Sequence, residues 1–318
     1  MSGADAERHV ALGPGREFDV VRRLLARWGA QATSIGDDAA ILDVPVGHRL
    51  VVSTDVAVED VHFRRTWFTD SEIAWRSTMA ALSDVAAMGA EPLGILTAIV
   101  LPLADLAAVD ALADGIGAAA REAGARILGG DLSRGPLLSI GVTVLGHSAA
   151  PVPRNGASPG DRVYVTGRLG GPARAWRACE QGARPLDAHR VRYARPMARI
   201  REGLWLAREG ASAMLDVSDG LLADLRNIAA ASRVRIDLDV AAVPVIDGAT
   251  VRDALGSGEE YELAVTAPQP LDTAGFERRF GVPLTEVGTV AASHDAEVRL
   301  LNGEGLVDLP SGYDHFSL

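Results

Sequence analysis

The 318-residue chain predicts a mixed α/β fold in two domains, and three observations carry that expectation. Strand-length apolar runs alternate with segments of helical spacing along the chain. A stretch with three prolines, two glycines and no period, His147 to Gly160, divides it near residue 150. The length is also enough for two domains that each bury a core.

Residues 48 to 54 read as a strand ending in Asp55. Asp70 to Met88 has helical spacing, with Ile73, Ser77, Ala80, Ala81 and Val85 on one side and Gly89 as its stop. Leu93 to Leu101 is a β-rich run, and Leu103 to Ala123 is an Ala-rich helix closed by Gly124. Ile127-Leu128 and Leu137 to Leu145 are further strands. Beyond the linker, Arg162 to Thr166 reads as a strand, and Gly171 to Gln181 and Pro196 to Glu209 as helices. Ala213-Met214-Leu215 is a short buried strand leading to Asp216, and Leu221 to Ser232 is an amphipathic helix. Strands follow at Ile236 to Val240, Tyr261 to Thr266 and Leu284 to Val290, with a hairpin turn at Asn302-Gly303.

Composition excludes several functions. No apolar stretch approaches the roughly 20 residues of a membrane helix, and the N-terminus lacks the basic start and apolar middle of a signal peptide, so a cytoplasmic protein with no membrane partner is expected. A net charge of −11 argues against nucleic acid, whose binding depends on cationic side chains. The single cysteine, Cys179, rules out an internal disulfide and reads as a half-buried helical residue. All 31 basic residues are arginine. With no lysine, neither the phosphate-binding loop of the common NTPases nor a protein-kinase ATP site can be built.

Five acidic clusters remain: Gly36-Asp37-Asp38-Ala39, Ser53-Thr54-Asp55, Ser83-Asp84, Gly129-Gly130-Asp131 and Asp216-Val217-Ser218-Asp219-Gly220. Carboxylates and hydroxyls beside glycines suit Mg²⁺, a hard cation that binds through one or two carboxylates, waters and substrate phosphates. Adjacent carboxylates on an extended segment point to opposite faces, so only one of Asp37 and Asp38 faces a given ion. Asp84 lies inside a helix among small and apolar neighbours, where a carboxylate is costly unless paired or metal-bound. Gly130 lets backbone approach a phosphate closely, and Arg134 could supply positive charge. Taken singly, Asp84 is also compatible with a salt-bridged structural role and each other cluster with a turn or a helix cap, and Ser218 or Asp219 could cap the helix that starts at Leu221.

In order, these motifs resemble those of the thiamine-monophosphate kinase family, within the aminoimidazole ribonucleotide synthetase-like superfamily. The resemblance also takes in Gly15-Arg16-Glu17-Phe18, Val61-His62-Phe63, Glu259-Glu260-Tyr261-Glu262-Leu263 and Gly312-Tyr313-Asp314-His315-Phe316, and so covers essentially the whole chain. It implies two α/β domains, 1–150 for metal and ATP binding and for dimerisation and 151–318 completing the ATP and substrate site, with the N-terminal domain pairing with its twin in a homodimer. It further implies Mg²⁺-assisted phosphorylation of thiamine monophosphate by ATP. Residue by residue, Asp38, Ser53, Thr54, Asp55, Asp84, Asp131, Asp216 and Asp219 match the metal ligands. Gly130, Asp131, Arg154 and Ser218 match ATP contacts, and His62, Glu259 and Tyr313 match acceptor contacts. The chain departs from the family where Glu260 replaces the usual Asp and Leu132 a common Thr. A sibling ATP-dependent enzyme of the superfamily and a non-catalytic nucleotide-binding descendant are the alternatives. The reactive cysteine near the N-terminus of selenophosphate synthetase and the cysteine tail of the hydrogenase-maturation sibling are both absent.

Overall fold

The computed structural model describes residues 16–32, 35, 38–102 and 106–304. The chain divides into two compact units, Met1–Val85 with Glu91–Ala149, and Ala86–Ala90 with Ala150–Leu318.

The first unit carries helix α1 (Arg16–Trp28), strand β1 (Arg49–Val58), helix α2 (Asp70–Ala87, whose last two residues belong to the second unit), strand β2 (Glu91–Leu101), helix α3 (Leu106–Ala123) and strands β3 (Arg126–Arg134) and β4 (Ser139–Ser148). Its sheet runs in the order β1-β4-β2-β3, with only β2 and β3 parallel. The core is aliphatic: Ile73, Leu82 and Val85 of α2, Leu112 and Ile116 of α3, and Ile95, Ile140 and Val142 of the sheet are all buried. Helix α1 docks on α3 through the Trp28 indole N–H, which donates to the Ala113 carbonyl at 2.9 Å, and through ion pairs from Arg23 and Arg27 to Asp110.

Two strands are longer than their sequences suggest. Strand β1 continues past Asp55 to Val58, because Val56, Ala57 and Val58 keep pairing with Gly141, Ile140 and Ser139 of β4. Strand β3 runs through Gly129-Gly130-Asp131 instead of ending there. Gly130 sits opposite Thr97, and a Cβ there would lie 1.9 Å from the Thr97 carbonyl oxygen, so the close approach of β2 requires glycine.

The second unit is built on a six-stranded sheet. Its elements in chain order are β5 (Arg162–Thr166), α4 (Gly171–Glu180), α5 (Asp187–Ala194), α6 (Ile200–Arg208), β6 (Ala213–Asp216), α7 (Leu221–Ser232), β7 (Arg235–Asp239), α8 (Val251–Gly256), β8 (Leu263–Ala267), α9 (Thr273–Phe280), β9 (Leu284–Ala291) and β10 (Glu297–Leu301). The strand order is β10-β7-β9-β5-β8-β6, antiparallel throughout except for β10 on β7. Val163, Val165, Leu215, Leu225, Ile228, Ile236, Ala264 and Val287 share one buried cluster. The expected helix from Pro196 starts only at Ile200, and α5 ends before it at Ala194, since a proline disfavours helical backbone in the residue it follows. Strand β8 begins at Leu263, two residues late, because Glu259 and Tyr261 have φ of 58° and 53°. Asn302 has a left-handed φ of 52°, but the return strand that a hairpin needs lies outside the described residues.

Candidate functional site

In the first unit, alternation along β1 separates its three candidate ligands. Ser53 faces α2, where its hydroxyl donates to the Asp84 carboxylate in a short hydrogen bond. Thr54 points the other way and meets the Thr143 hydroxyl at 3.1 Å. Asp55 is exposed, and its Oδ1 accepts the Val56 N–H at 2.8 Å. The structure therefore brings Ser53 and Asp84 together and turns the Thr54 side chain away from them. Asp84 is half-buried, one helical position from a Ser83 hydroxyl that is buried without a partner.

Asp131 is exposed on β3, and its Oδ2 accepts the Ser133 hydroxyl at 3.1 Å. The register row through Asp55 runs by Val142 and Thr97 to Gly130, which puts Asp131 one row along and three strands across the sheet from Asp55. Asp38 is exposed, while Asp37 lies outside the described residues.

His62 belongs to a tight turn after β1. Its backbone N–H donates to the Val58 carbonyl at 2.9 Å, and its Nδ1 accepts the Val58 N–H at 3.1 Å, which leaves Nε2 to carry the proton in the neutral ring. The buried Arg76 guanidinium donates to the His62 carbonyl at 3.4 Å from beneath.

In the second unit, β6 delivers the buried Asp216, and Ser218 and Asp219 follow in the loop before α7. Neither Ser218 nor Asp219 caps that helix: the cap position is Gly220, with a φ of 120° that favours glycine. The orphan amides of Asp219 and Gly220 are instead satisfied by Oδ2 of Asp224, at 3.1 and 3.0 Å. Burial, then the nearby Asp216 and Asp219 carboxylates, pushes the Asp224 carboxyl up to about 8. Sequence reasoning missed Asp224, although an aspartate on the otherwise apolar face formed by Leu221, Leu225 and Ile228 was a signal.

The loop is backed by the segment that carries Glu259. The amide of Glu259 donates to the Ser218 carbonyl at 2.8 Å, and those of Glu260 and Tyr261 to the Val217 carbonyl at 3.1 and 2.9 Å. The Val217 amide returns a bond to the Glu262 carbonyl at 2.7 Å. Below this lies a buried ionic network. Glu262 accepts Arg192 Nη1 at 2.8 Å, Arg199 Nε at 2.8 Å and the Thr166 hydroxyl at 2.6 Å. Burial alone would raise its carboxyl, but Arg199 and Arg192 outweigh burial and hold it down to about 2. Glu260 accepts the Gly170 N–H and Arg192 Nη2, the latter at 3.2 Å, and burial pushes its carboxyl up to about 7 against the pull of Arg192. Arg192 and Arg199 were not singled out in the sequence, and Glu262 entered it only within a motif, since a buried pair looks no different there from a surface one.

Arg154 is exposed in a turn, and seven residues on the buried Asp161 accepts the Ser158 N–H at 3.0 Å and the Ser212 hydroxyl at 2.6 Å. Tyr313 lies outside the described residues. Among the described residues, no three His, Cys, Asp or Glu side chains converge on one ion-sized point. The donor set is nonetheless all oxygen, and in the second unit Asp216 and Asp219 add to the burial that raises the Asp224 carboxyl. That fits Mg²⁺ held by one or two carboxylates, with water and phosphate oxygens completing its shell.

Residues 36–148 match the family model for the AIR synthase related protein N-terminal domain, and residues 158–300 that for the C-terminal domain. The chain is 35% identical to thiamine-monophosphate kinase of Salmonella typhimurium, over 95% of its own length and 98% of that protein. Among solved structures, thiamine-monophosphate kinase from Stenotrophomonas maltophilia K279a superimposes with a TM-score of 0.81 at 34% identity, covering 93% of this chain and 98% of that one. AaThiL complexed with AMPPCP and TMP gives 0.75 at 28% identity, over 94% and 96%. With a likeness that covers both units, the chain belongs to the thiamine-monophosphate kinase family.

Proposed function

We propose that this protein transfers the γ-phosphoryl group of ATP to thiamine monophosphate, giving thiamine diphosphate by direct in-line displacement. The observation that carries the proposal is the similarity, along 94% of the chain, to AaThiL complexed with AMPPCP and TMP. The acceptor is a phosphate, already anionic near neutral pH, so no general base is needed, and positioning and charge neutralisation do the catalytic work.

In this reading residues 1–150 supply Asp38, Ser53, Asp55, Asp84 and Asp131 as metal ligands, with Thr54 limited to its backbone, and residues 151–318 supply Asp216 and Asp219. Bound Mg²⁺ supplies the positive charge that lets two polyanions approach. Gly130, Asp131, Arg154 and Ser218 hold ATP, and His62, Glu259 and Tyr313 hold the acceptor, His62 through its Nε2. ATP as co-substrate suits a cytoplasmic enzyme, and among the described residues no helix is long and apolar enough to cross a membrane.

A homodimer is part of the proposal. It is supported by β1, an edge strand that leaves Leu50, Val52 and Val56 exposed on one face. The test of the activity is thiamine diphosphate formation from Mg-ATP and thiamine monophosphate, with thiamine as the control acceptor. Product from the monophosphate alone is expected. ATP binding without product would refute the acceptor assignment.

A further inference from the structure

The segment Glu259-Glu260-Tyr261 has an uncommon backbone conformation. Two non-glycine residues, Glu259 and Tyr261, have left-handed φ of 58° and 53°, and between them Glu260 points its side chain into the protein at 1% exposure. Left-handed backbone at such residues persists only where the surroundings over-determine it. Here the surroundings are specific. The Glu260 carboxylate accepts the Gly170 N–H at the start of α4 and Arg192 Nη2 from α5. The same Arg192 nitrogen donates to the Glu260 carbonyl at 3.2 Å, so one guanidinium grips both side chain and main chain. Arg192 is itself tethered to Glu262 at 2.8 Å, and Arg199 secures Glu262 from another side.

We propose that Arg192 and Glu260 form a positioning pair that holds Glu259 in its left-handed conformation beside Ser218, and thereby sets the affinity for the acceptor. This rests on the reading of Glu259 as an acceptor contact. Neither Arg192 nor Glu260 touches substrate; both act through Glu259.

The test compares steady-state constants for Glu260→Ala, Glu260→Gln, Glu260→Asp, Glu259→Ala and the Glu259→Ala/Glu260→Ala double variant. Glu260→Ala is expected to raise KM for thiamine monophosphate at least fivefold while KM for ATP stays within twofold, and Glu260→Asp, which keeps the charge, to recover most of the loss. The double variant is expected to match Glu259→Ala alone, since a residue that acts through another adds nothing once that other is gone. Multiplicative losses, or equal rises in both KM values, would overturn the proposal. A crystal structure of Glu260→Ala, or of Glu260→Gln if the alanine chain does not fold, reads the device whatever the acceptor. Glu259 leaving the left-handed region supports it, and Glu259 retained there overturns it. A wild-type enzyme that makes no thiamine diphosphate would instead sink the proposed activity, and the crystallographic result would still decide the pair.

Discussion

Asp84 shows how one side chain can be read twice, first as a misfit and then as part of an arrangement. An aspartate within an 18-residue helix, flanked by the fully buried Leu82 and Val85, has no propensity reason to be there. Its carboxylate accepts the Ser53 hydroxyl from β1, which fixes its rotamer toward the strand that also carries Asp55. Asp84→Asn keeps the size and the acceptor oxygen but removes the charge. Activity with saturating Mg-ATP is expected to fall at least 100-fold while the melting temperature changes by no more than about 2 °C, a loss of the order seen when one transition-state charge contact is removed. Near-wild-type turnover would count against a ligand role. Gly130 argues in the other direction. Its glycine requirement comes from a strand neighbour, because a Cβ would meet the Thr97 carbonyl at 1.9 Å. Gly130→Ala should therefore cost about 1–3 kcal/mol of stability in urea unfolding, as overpacking generally does, even with no ligand present. An unchanged midpoint would contradict the contact.

At the scale of elements, the second unit depends on how β8, α5 and α6 are tied by Glu262. Its carboxyl is held down to about 2 in the folded chain, where Arg199 and Arg192 outweigh burial, against about 4.3 when unfolded. A depressed folded value means that the ionised form favours folding. The stabilisation is fully present above about pH 5 and is lost as pH falls toward about 2. Acid unfolding followed by circular dichroism should show that decline. Glu262→Gln should flatten it and cost roughly 3 kcal/mol at pH 7, because two half-buried guanidiniums lose the carboxylate they share, Arg192 keeping Glu260. A variant that keeps the wild-type acid limb would remove Glu262 from the account. The elements themselves were unevenly visible in the sequence. Helix α7 could be read to the residue, since Leu221, Leu225 and Ile228 carry a clean helical period. Helices α8 and α9, of six and eight residues, are too short for a period to stand out and are recognisable only by the Thr250 and Asp272 caps. The acidic motifs were legible because their spacing to glycine is local. The Arg192–Glu260 grip was not, because it joins residues 68 positions apart and only burial gives it meaning.

For the molecule as a whole, the unanswered question at the surface is what covers β1. Among the described residues the strand is an edge of its sheet, paired with β4. Its outward alternation presents Leu50, Val52 and Val56 with Thr54 among them, and the three apolar side chains are 50%, 54% and 47% exposed. An apolar, unpaired edge strand invites association, and natural proteins usually guard such edges with charge or cover them. No charged residue interrupts this face between Leu50 and Val56, which is what a strand meant for covering would show. A second copy supplies an identical face, so a two-fold arrangement would bury the same residues on both sides. Val52→Glu places a carboxylate in the middle of that face without disturbing the core, since the side chain is largely exposed in the single chain. Light scattering at about 10 μM, where a dimer with a dissociation constant of about 1 μM or tighter is mostly assembled, should give a dimer for the wild type and a monomer for Val52→Glu. The circular dichroism spectra of the two should be the same. A wild type that is monomeric under those conditions would remove the homodimer, and a Val52→Glu chain that remains dimeric would move the interface away from β1.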